Sequence, residues 1–570
     1  MRKYLHINLI VLLLLCSVQV FAQKEKKVSF IGGARSVMSN NQLAVRDSLA
    51  DTTTAPRNTG GYALVDMGVN IKPNKSTEIM GMFRIRNGFG GFWGSGVTFD
   101  VRQLYMKGVI ANKVRYQLGD LNLKQTPFTL YNHHADAVDS LPALFLLQNN
   151  IVQYEKFYKN NTWRMQGANV DFGFTFKDGI EELNVTSFIT RLNATNFNNV
   201  AERLMAGAVV EVVKNKHLKA AYNFNSTFDV LGTIRDSNVF ASTVHSVDAQ
   251  YKTRVAAHQQ LSVGAEFGTS AQQFSRDTLA PKLNDYFIHG YSTVTFEKQH
   301  LTASLGYLNV GPEFRSIGAQ SKDVNYNALP AYFDRYTNSQ GVRPLGLLDV
   351  LANDNIYNRT VTSRPAAVNN LFNNAMPFGI ATANRLGGYA SVQYKKDIDA
   401  SITYYNLSEI QGQGTLALRK FNVVKANVML PLHKYLKLQN KLELQAGTHV
   451  QSIKRTSNAE VENVSYSNMQ FNTGIRYEIF KDFDILGAYL MQNTSGDDFV
   501  AERNSYNSII FFSQEKYDVQ QSIGGAGLRY NFTPKIHLST FYQRSTFADG
   551  YKQKADYNIN QFSIIYNMLF

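Results

Sequence analysis

Charged residues stand at alternate positions in several segments of this chain. Glu78, Arg84 and Arg86 share one segment, and Asp100 and Arg102 share the next. Residues two apart in an extended strand point to the same side, so each segment would place its charges on one face. Rings of charged side chains can set the sign of the ions that a pore admits. The candidate wall residues are Glu78, Arg84, Arg86, Asp100, Arg102, Arg115, Arg476, Glu478 and Arg529.

The same charges also have a structural interpretation. Inward Arg and Glu side chains on neighbouring strands often pair with each other and fill a wet interior. We favour this role for any single residue of the set. If the set as a whole lines the lumen with arginine, it would still lower the barrier to anionic solutes.

Histidine and aspartate cluster in one polar segment, at His133, His134, Asp136 and Asp139. A hydrolase needs a base, an orienting group and a nucleophile held rigidly together, and nothing here specifies such a set. Adjacent histidines lie on opposite sides of an extended chain and cannot readily share one metal ion. We expect no enzymatic activity, no metal and no cofactor.

A glycine-rich run covers residues 88–96 and encloses Phe89, Phe92 and Trp93. Glycine runs that cradle phosphate are followed by a helix, whereas here another strand pattern follows. This run is better explained as a flexible loop at the end of a strand.

Long segments that alternate apolar and polar residues run along nearly the whole chain. In 170–189, Val170, Phe172 and Phe174 alternate with polar residues, a turn follows at 177–179, and Leu183 resumes the apolar face. A period of two predicts strands. Ten tight turns are expected, near residues 72–75, 112–113, 177–179, 214–216, 257–259, 298–299, 395–397, 432–434, 481–482 and 533–535.

Ten hairpins, with a first strand near 27–38 and a last near 557–570, give about 22 strands, within a range of roughly 18 to 26. Strands of about 9 to 11 residues cross a bilayer, whereas ordinary strands average about 5 to 6. In hydrocarbon every backbone polar group needs an internal partner, so such a sheet must close. The fold class is therefore all-β, a transmembrane antiparallel β-barrel with short periplasmic turns and long extracellular loops.

Two other architectures fit the pattern less well. A secreted β-propeller or sandwich would show shorter strands and, in a propeller, a repeated blade motif, and none is found. A TonB-dependent transporter would need a plug of well over 100 residues, but strand patterning starts close to the expected cleavage site. The two longest loops, 121–161 and 312–384, could instead fold inward and partly fill the lumen.

The first 22 residues have the features of a secretory signal peptide. Arg2 and Lys3 precede an apolar stretch, and the segment ends at Ala22, which predicts a single barrel domain over 23–570. The only cysteine, Cys16, lies in this segment, so the exported chain would have no disulfide. Removing Arg2 and Lys3 lowers the formal net charge from +14 to +12, and the remaining charge is spread, so no nucleic-acid partner is expected.

The last strand carries the most specific local signal. Phe562, Ile564, Tyr566 and Met568 alternate with polar residues, and the chain stops at Phe570. This pattern resembles the C-terminal assembly signal of Gram-negative outer-membrane β-barrel proteins, with Tyr566 and Phe570 as its aromatic residues. The resemblance implies an outer-membrane location, contact with membrane lipid, and recognition by the barrel-assembly machinery.

These observations lead to two functional hypotheses. The first is a porin-like passive channel for small hydrophilic solutes, with a weak bias toward anions. The alternative is a non-conducting outer-membrane scaffold, or an envelope-protein partner in secretion, surface assembly or adhesion. Loops folded inward favour the channel, and loops projecting outward over a sealed lumen favour the scaffold.

Overall fold

The structure, a computed structural model, describes residues 27–45, 57–89, 96–133, 141–157, 160–195, 197, 201–234, 239–274, 282–321, 375–503, 509–551 and 556–570. Twenty-two strands in this part of the chain form one antiparallel sheet. They are β1 (Val28–Val45), β2 (Arg57–Asn74), β3 (Thr77–Gly88), β4 (Val97–Ile110), β5 (Val114–Leu123), β6 (Trp163–Thr175), β7 (Glu182–Asn193), β8 (Arg203–Val213), β9 (Leu218–Asp229), β10 (Phe240–Ala256), β11 (Gln259–Phe274), β12 (Leu283–Phe296), β13 (Leu301–Val310), β14 (Arg385–Lys395), β15 (Asp399–Ser408), β16 (Lys420–Leu430), β17 (Leu442–Arg455), β18 (Val464–Phe480), β19 (Phe483–Arg503), β20 (Ile509–Thr533), β21 (Ile536–Asp549) and β22 (Tyr557–Leu569).

Each strand pairs with its neighbours in sequence, and the sheet closes where β1 pairs with β22. The backbone of Phe570 continues this ladder: its N–H donates to the carbonyl of Gly32 at 2.9 Å and its carbonyl accepts from the Gly32 N–H at 3.0 Å. Closure leaves no open edge, as a sheet in hydrocarbon requires. The predicted 22-stranded antiparallel barrel is confirmed.

Ten short connections lie at one end of the barrel together with both ends of the described chain, and we call this the turn end. All ten fall at the positions predicted from the sequence. The opposite end, the loop end, carries the longer connections. Strands extend farther toward the loop end than the sequence predicts. Residues 492–518 are rich in Asn, Ser, Gly and Asp, a composition that predicts a loop, but they lie largely in the β19–β20 hairpin, because polar residues that alternate in a strand resemble loop composition.

The two faces of the wall differ sharply in chemistry. Along β2, Leu64 and Asp66 are buried inside the barrel, whereas Val65 and Met67 are 42% and 46% exposed on the outside. The same alternation gives the outer surface an apolar band, as a lipid-facing wall requires. Other exposed members of this band are Ile85, Phe99, Val101, Leu104, Val247, Val263, Phe267, Leu305 and Ile402.

A helix, α1 (Ala143–Lys156), lies inside the barrel and packs against β18, β19 and β20. It forms because Leu144, Leu147 and Ile151 recur at helical spacing and bury one face against Leu486 and other wall residues. The helix ends where Phe157 adopts a left-handed conformation, with φ of 53°. A second, short helix, α2 (Leu432–Tyr435), lies in the β16–β17 connection at the turn end. Among the described residues, no helix is long and apolar enough to span a membrane.

Segments of both long loops also fold inward. Phe128 is fully buried, with its ring 4.0 Å from that of Phe287 on the wall and 6.5 Å from that of Phe314 in the second long loop. Residues 375–383 pack in one apolar cluster with Phe128, Phe287 and Phe314. The lumen is therefore partly filled by protein toward the loop end, and residues 322–374 lie outside the described part of the chain.

Candidate functional site

An ion-pair cluster on the inner wall holds the end of α1, and strand register creates it. Asp66 on β2 lies opposite Arg84 on β3. A register shift between Met82 and Phe83 in the β3–β4 pairing brings Arg102 to the same face. A bulge of this kind turns a side chain to a new direction.

Asp66 is the centre of the cluster and is fully buried. Its Oδ1 accepts a hydrogen bond from Arg84 Nε at 2.7 Å, and its Oδ2 accepts from Arg84 Nη2 at 2.7 Å. Oδ2 also accepts from Arg102 Nη1 at 2.7 Å and from the Tyr154 hydroxyl at 2.6 Å. Paired arginine–carboxylate bonds of this kind are among the stronger hydrogen bonds in proteins.

Glu155, in the last turn of α1, ties the helix to three strands. Its carboxylate accepts from Arg84 Nη1 at 2.5 Å and Arg84 Nη2 at 3.0 Å, and it forms an ion pair with Arg35 of β1. Arg102 donates to the carbonyl of Tyr154 at 2.9 Å. A cation is favourable here because the carbonyl end of a helix carries partial negative charge. The cluster therefore anchors the C-terminal end of α1.

The charges of the cluster decide the protonation of its helix residues. Burial alone would raise the pKa of Glu155, but the hydrogen bond from Arg84 and the charges of Arg35 and Arg102 outweigh it and lower that pKa to about 2. Burial and the hydrogen bond to Asp66 raise the pKa of the Tyr154 hydroxyl. At neutral pH Glu155 is a carboxylate and Tyr154 a neutral donor.

Aromatic rings extend the cluster along the wall. The guanidinium of Arg102 lies 4.5 Å from the ring centre of Phe157, and that of Arg164 lies 4.1 Å from the same ring. Arg164 also forms a 3.0 Å ion pair with Asp120. Phe157, which ends the helix, is thus held between two cations.

The cluster is better suited to anchoring α1 than to catalysis. Each carboxylate is already engaged by arginine, and the side chains of Arg84 and Arg102 are 9% and 5% exposed. Breaking a buried ion pair by removing one partner is costly, because the remaining charge stays buried. Arg84 and Arg102 therefore lie on the inner wall with their charges largely neutralised.

The other predicted residues of the first strands lie separately along the wall. Glu78 forms a 3.1 Å ion pair with Lys107. The guanidinium of Arg86 lies 4.1 Å from the ring centre of Tyr62. Asp100 is exposed, and Arg115, whose side chain is 73% exposed, pairs with Asp171.

The predicted residues of the last strands lie on the other side of the β1–β22 seam. Arg476 forms ion pairs with Asp484 at 3.1 Å and Glu443 at 3.5 Å. Glu478 accepts a hydrogen bond from the backbone of Asp482 in the β18–β19 turn. Arg529 lies opposite Asp484 in the β19–β20 register. The predicted residues thus form no single ring.

The wall of β8–β11 also carries buried carboxylates. Asp248 and Glu266 lie opposite each other on β10 and β11. Asp248 accepts from the Asn223 amide at 2.8 Å, and Glu266 accepts from the Ser246 hydroxyl at 2.8 Å. Cations lie on the same strands, where Arg203 pairs with Asp229 and Lys219 pairs with Glu211, so this part of the inner wall also carries charges of both signs.

The residues that complete the cluster, Arg35, Asp66, Tyr154 and Glu155, were not among those predicted. Asp66 alternates with the apolar residues of β2, which was a usable signal for an inward position. Leu144, Leu147 and Ile151 show the helical spacing that could have identified α1 within the predicted loop. No local signal in the sequence indicated which wall residues the helix would contact.

Other sequence candidates fall partly outside the described residues. His133 is buried against the ring of Tyr131, with ring centres 4.7 Å apart, whereas His134, Asp136 and Asp139 lie outside the described part. Glycine-rich residues 90–95 and the predicted signal peptide also lie outside it. Within the described ranges, no three His, Cys, Asp or Glu residues are grouped closely enough to hold a metal ion.

Comparison with known proteins finds similarity only among solved structures. No protein-family profile matches the sequence, and no curated protein matches it. Pseudomonas aeruginosa OpdQ is 8% identical over 96% of this chain and 99% of its own, with a TM-score of 0.35. OccK8 (OprE) from the same organism is 9% identical over 95% and 98%, with a TM-score of 0.35. The P. aeruginosa outer membrane protein OpdK is 8% identical over 95% and 99%, with a TM-score of 0.33.

Proposed function

We propose that this protein is a porin-like passive channel for small hydrophilic solutes in the outer membrane of a Gram-negative cell. The observation that carries the proposal is a closed 22-stranded wall with an apolar outer band and a charged inner face. Such a wall suits lipid outside and water inside. The turn end would face the periplasm.

The inward segments would set the size of the solutes. A barrel of 22 strands encloses a wide lumen, so the wall alone would not sieve small molecules. Helix α1 and the segments around Phe128 and Phe314 narrow that lumen. The anchoring of α1 by Asp66 and Glu155 would keep the narrowing fixed.

The weak anion bias would come from cations that lack a carboxylate partner. Arg84 and Arg102 are neutralised by Asp66 and Glu155 and would contribute little. Arg529 and Lys535, near the turn end, form no ion pair within the described residues. These two are the better candidates for attracting anions. No cofactor or energy source enters this mechanism.

A second candidate is a non-conducting scaffold for another envelope protein. The observation that favours it is the β19–β20 hairpin, which continues past the last pairings of β18 and β21. Ile510 and Phe511 near its tip are 64% and 61% exposed. A projecting hairpin with exposed apolar side chains could bind a protein partner.

Conductance separates the two candidates. Purified protein, shown to be folded by its heat-dependent shift in gel migration, would be inserted into a planar bilayer under a salt gradient. The channel requires stable current steps with a reversal potential displaced toward that of the anion. Absence of current steps from folded, inserted protein would contradict the channel and favour the scaffold.

A further inference from the structure

A cavity of about 460 Å³ lies between α1 and the wall near the turn end. It crosses the seam, because its walls come from β1 and β2 on one side and from β18–β22 on the other. Its lining includes Arg35, Arg476, Arg529, Lys535 and His537, and among the lining residues there is no Asp or Glu.

The cationic side chains of this cavity differ in whether they have a carboxylate partner. Arg35 pairs with Glu155, and Arg476 pairs with Asp484. Arg529 Nε is buried and has no hydrogen-bond partner. The nearby Asp484 is bonded through Oδ2 to Arg476 and to Asn531, at 3.1 and 3.3 Å, whereas its buried Oδ1 has no hydrogen-bond partner. Lys535 has no ion pair in the described part of the chain, so positive charge is in excess here.

The opposite side of the cavity is apolar. Ala143, Leu146, Leu147 and Ile151 of α1 line it at spacings of three and four residues, together with Leu486 of β19. Leu146 is 42% exposed although it lies on a helix inside the barrel. Apolar surface left facing water inside a protein favours a ligand that covers it.

We propose that this cavity binds a small organic anion that combines a carboxylate with a short apolar chain. This inference rests on the proposed channel function and names a solute class for its lumen. The carboxylate would lie against Arg529 and Lys535, because an arginine fork matches carboxylate geometry. The chain would lie along Leu146 and Leu147. The cavity volume falls within the roughly 300 to 1,000 Å³ usual for small-molecule sites.

Binding can be measured without relying on conduction. Full-length protein in lipid nanodiscs would be titrated calorimetrically with hexanoate, acetate and hexanol. Hexanoate has both the charge and the chain, acetate only the charge, and hexanol only the chain. We expect hexanoate to bind at least about tenfold more tightly than either, since each part of the ligand supplies a separate contribution.

Three substitutions locate the site. Arg529→Gln with Lys535→Gln should weaken hexanoate binding about tenfold or more, as loss of charged hydrogen bonds implies. Leu146→Asn should weaken it about threefold while sparing acetate, and it disturbs little packing because the side chain is partly exposed. Lys216→Gln, in another turn at the same end, is the control and should leave binding unchanged.

The outcomes separate this inference from the channel itself. Hexanoate binding that matches acetate or hexanol, or that survives the double substitution in folded protein, would overturn the site even if the protein conducts. Hexanoate binding that responds as expected in a protein that conducts no ions would support the site and contradict the channel.

Discussion

Asp66 and Arg84 lie directly opposite each other on β2 and β3, and two hydrogen bonds of 2.7 Å join their side chains inside the barrel. The pair belongs to the wall, yet both residues also bond the helix in the lumen, Asp66 through Tyr154 and Arg84 through Glu155. Wall register and helix position are therefore fixed by the same side chains.

Asp66→Asn should lower stability markedly, because it leaves Arg84 and Arg102 buried beside a neutral side chain. Loss of one member of a buried pair costs about 3 to 5 kcal/mol. The measurement is thermal unfolding followed by the heat-dependent shift in gel migration. Asp100→Asn is the matched control, since Asp100 is the other register partner of Arg84 but is exposed. Equal effects of the two substitutions would contradict the central role of Asp66.

Glu155→Gln should loosen the helix while leaving the wall pair intact. Because Glu155 bonds Arg35 and Arg84, its loss frees the C-terminal end of α1 from two strands. We expect larger and noisier current steps in planar bilayers, about twofold or less in size because the apolar face of α1 stays packed. Glu182→Gln, an exposed glutamate on β7, should leave the steps unchanged. Identical traces from Glu155→Gln and wild type would show that the helix does not limit conduction.

Low pH should break the ion pairs that Glu155 forms with Arg35 and Arg84. The pKa of Glu155 is lowered from its usual 4.5 to about 2 in the folded protein. A carboxylate with a depressed folded pKa contributes stability above its unfolded pKa, and that contribution disappears as pH falls through the folded value. Wild-type stability should therefore fall between pH 4.5 and about 2, measured by unfolding temperature. Glu155→Gln should show a shallower fall across this window, and parallel curves would refute the assignment.

Ion selectivity should depend on arginines without an ion pair rather than on ion-paired arginines. Arg529→Gln is expected to shift the reversal potential in a salt gradient toward that of the cation, because it removes a positive charge that forms no ion pair within the described residues. Arg102→Gln should shift the reversal potential less and reduce stability more, since Arg102 is bonded to Asp66. A larger selectivity change from Arg102→Gln would mean that the cluster faces the solute path.

The seam should be sensitive to the space at Gly32. A Cβ at this position would lie 2.1 Å from the carbonyl oxygen of Asp66 and 3.0 Å from the ring of Phe570. Gly32→Ala should therefore reduce the yield of folded barrel, measured as the heat-modifiable fraction after refolding. Gly290→Ala on β12, where nothing lies within 4 Å, is the control. Equal yields would show that the seam tolerates displacement of the last residue.

The barrel was predictable because its rules are local. Alternation along β6 and the turn at 177–179 lie within a few residues of each other, and nine similar turns fix the strand order. The extended β19–β20 hairpin was missed because polar strands beyond the apolar band carry no alternation of hydrophobicity. Whether such a polar segment forms a strand depends on the neighbouring strand with which it pairs, and local composition does not identify that strand.

The site was less predictable because its contacts are distant in sequence. Asp66 and Tyr154 are 88 residues apart, and Arg35 and Glu155 are 120 apart. An alternating pattern places Arg84 on the inner face, but it cannot say whether a carboxylate will neutralise it. That depends on where the long loop folds, and only the structure brings Glu155 to this wall.

Helix α1 contacts strands on both sides of the seam: ion pairs join it to β1 and β3, hydrogen bonds join it to β2 and β4, and apolar packing joins it to β18–β20. It therefore links the strands on the two sides of the seam and stiffens that sector of the barrel. Strands β8–β16 make no comparable contact with α1 in the described residues. The inward segments around Phe128 and Phe314 support that far sector only toward the loop end. When lateral pressure in the membrane deforms the barrel, its turn-end half should therefore flex first in that sector, and the cross-section there should become elliptical rather than uniformly narrower.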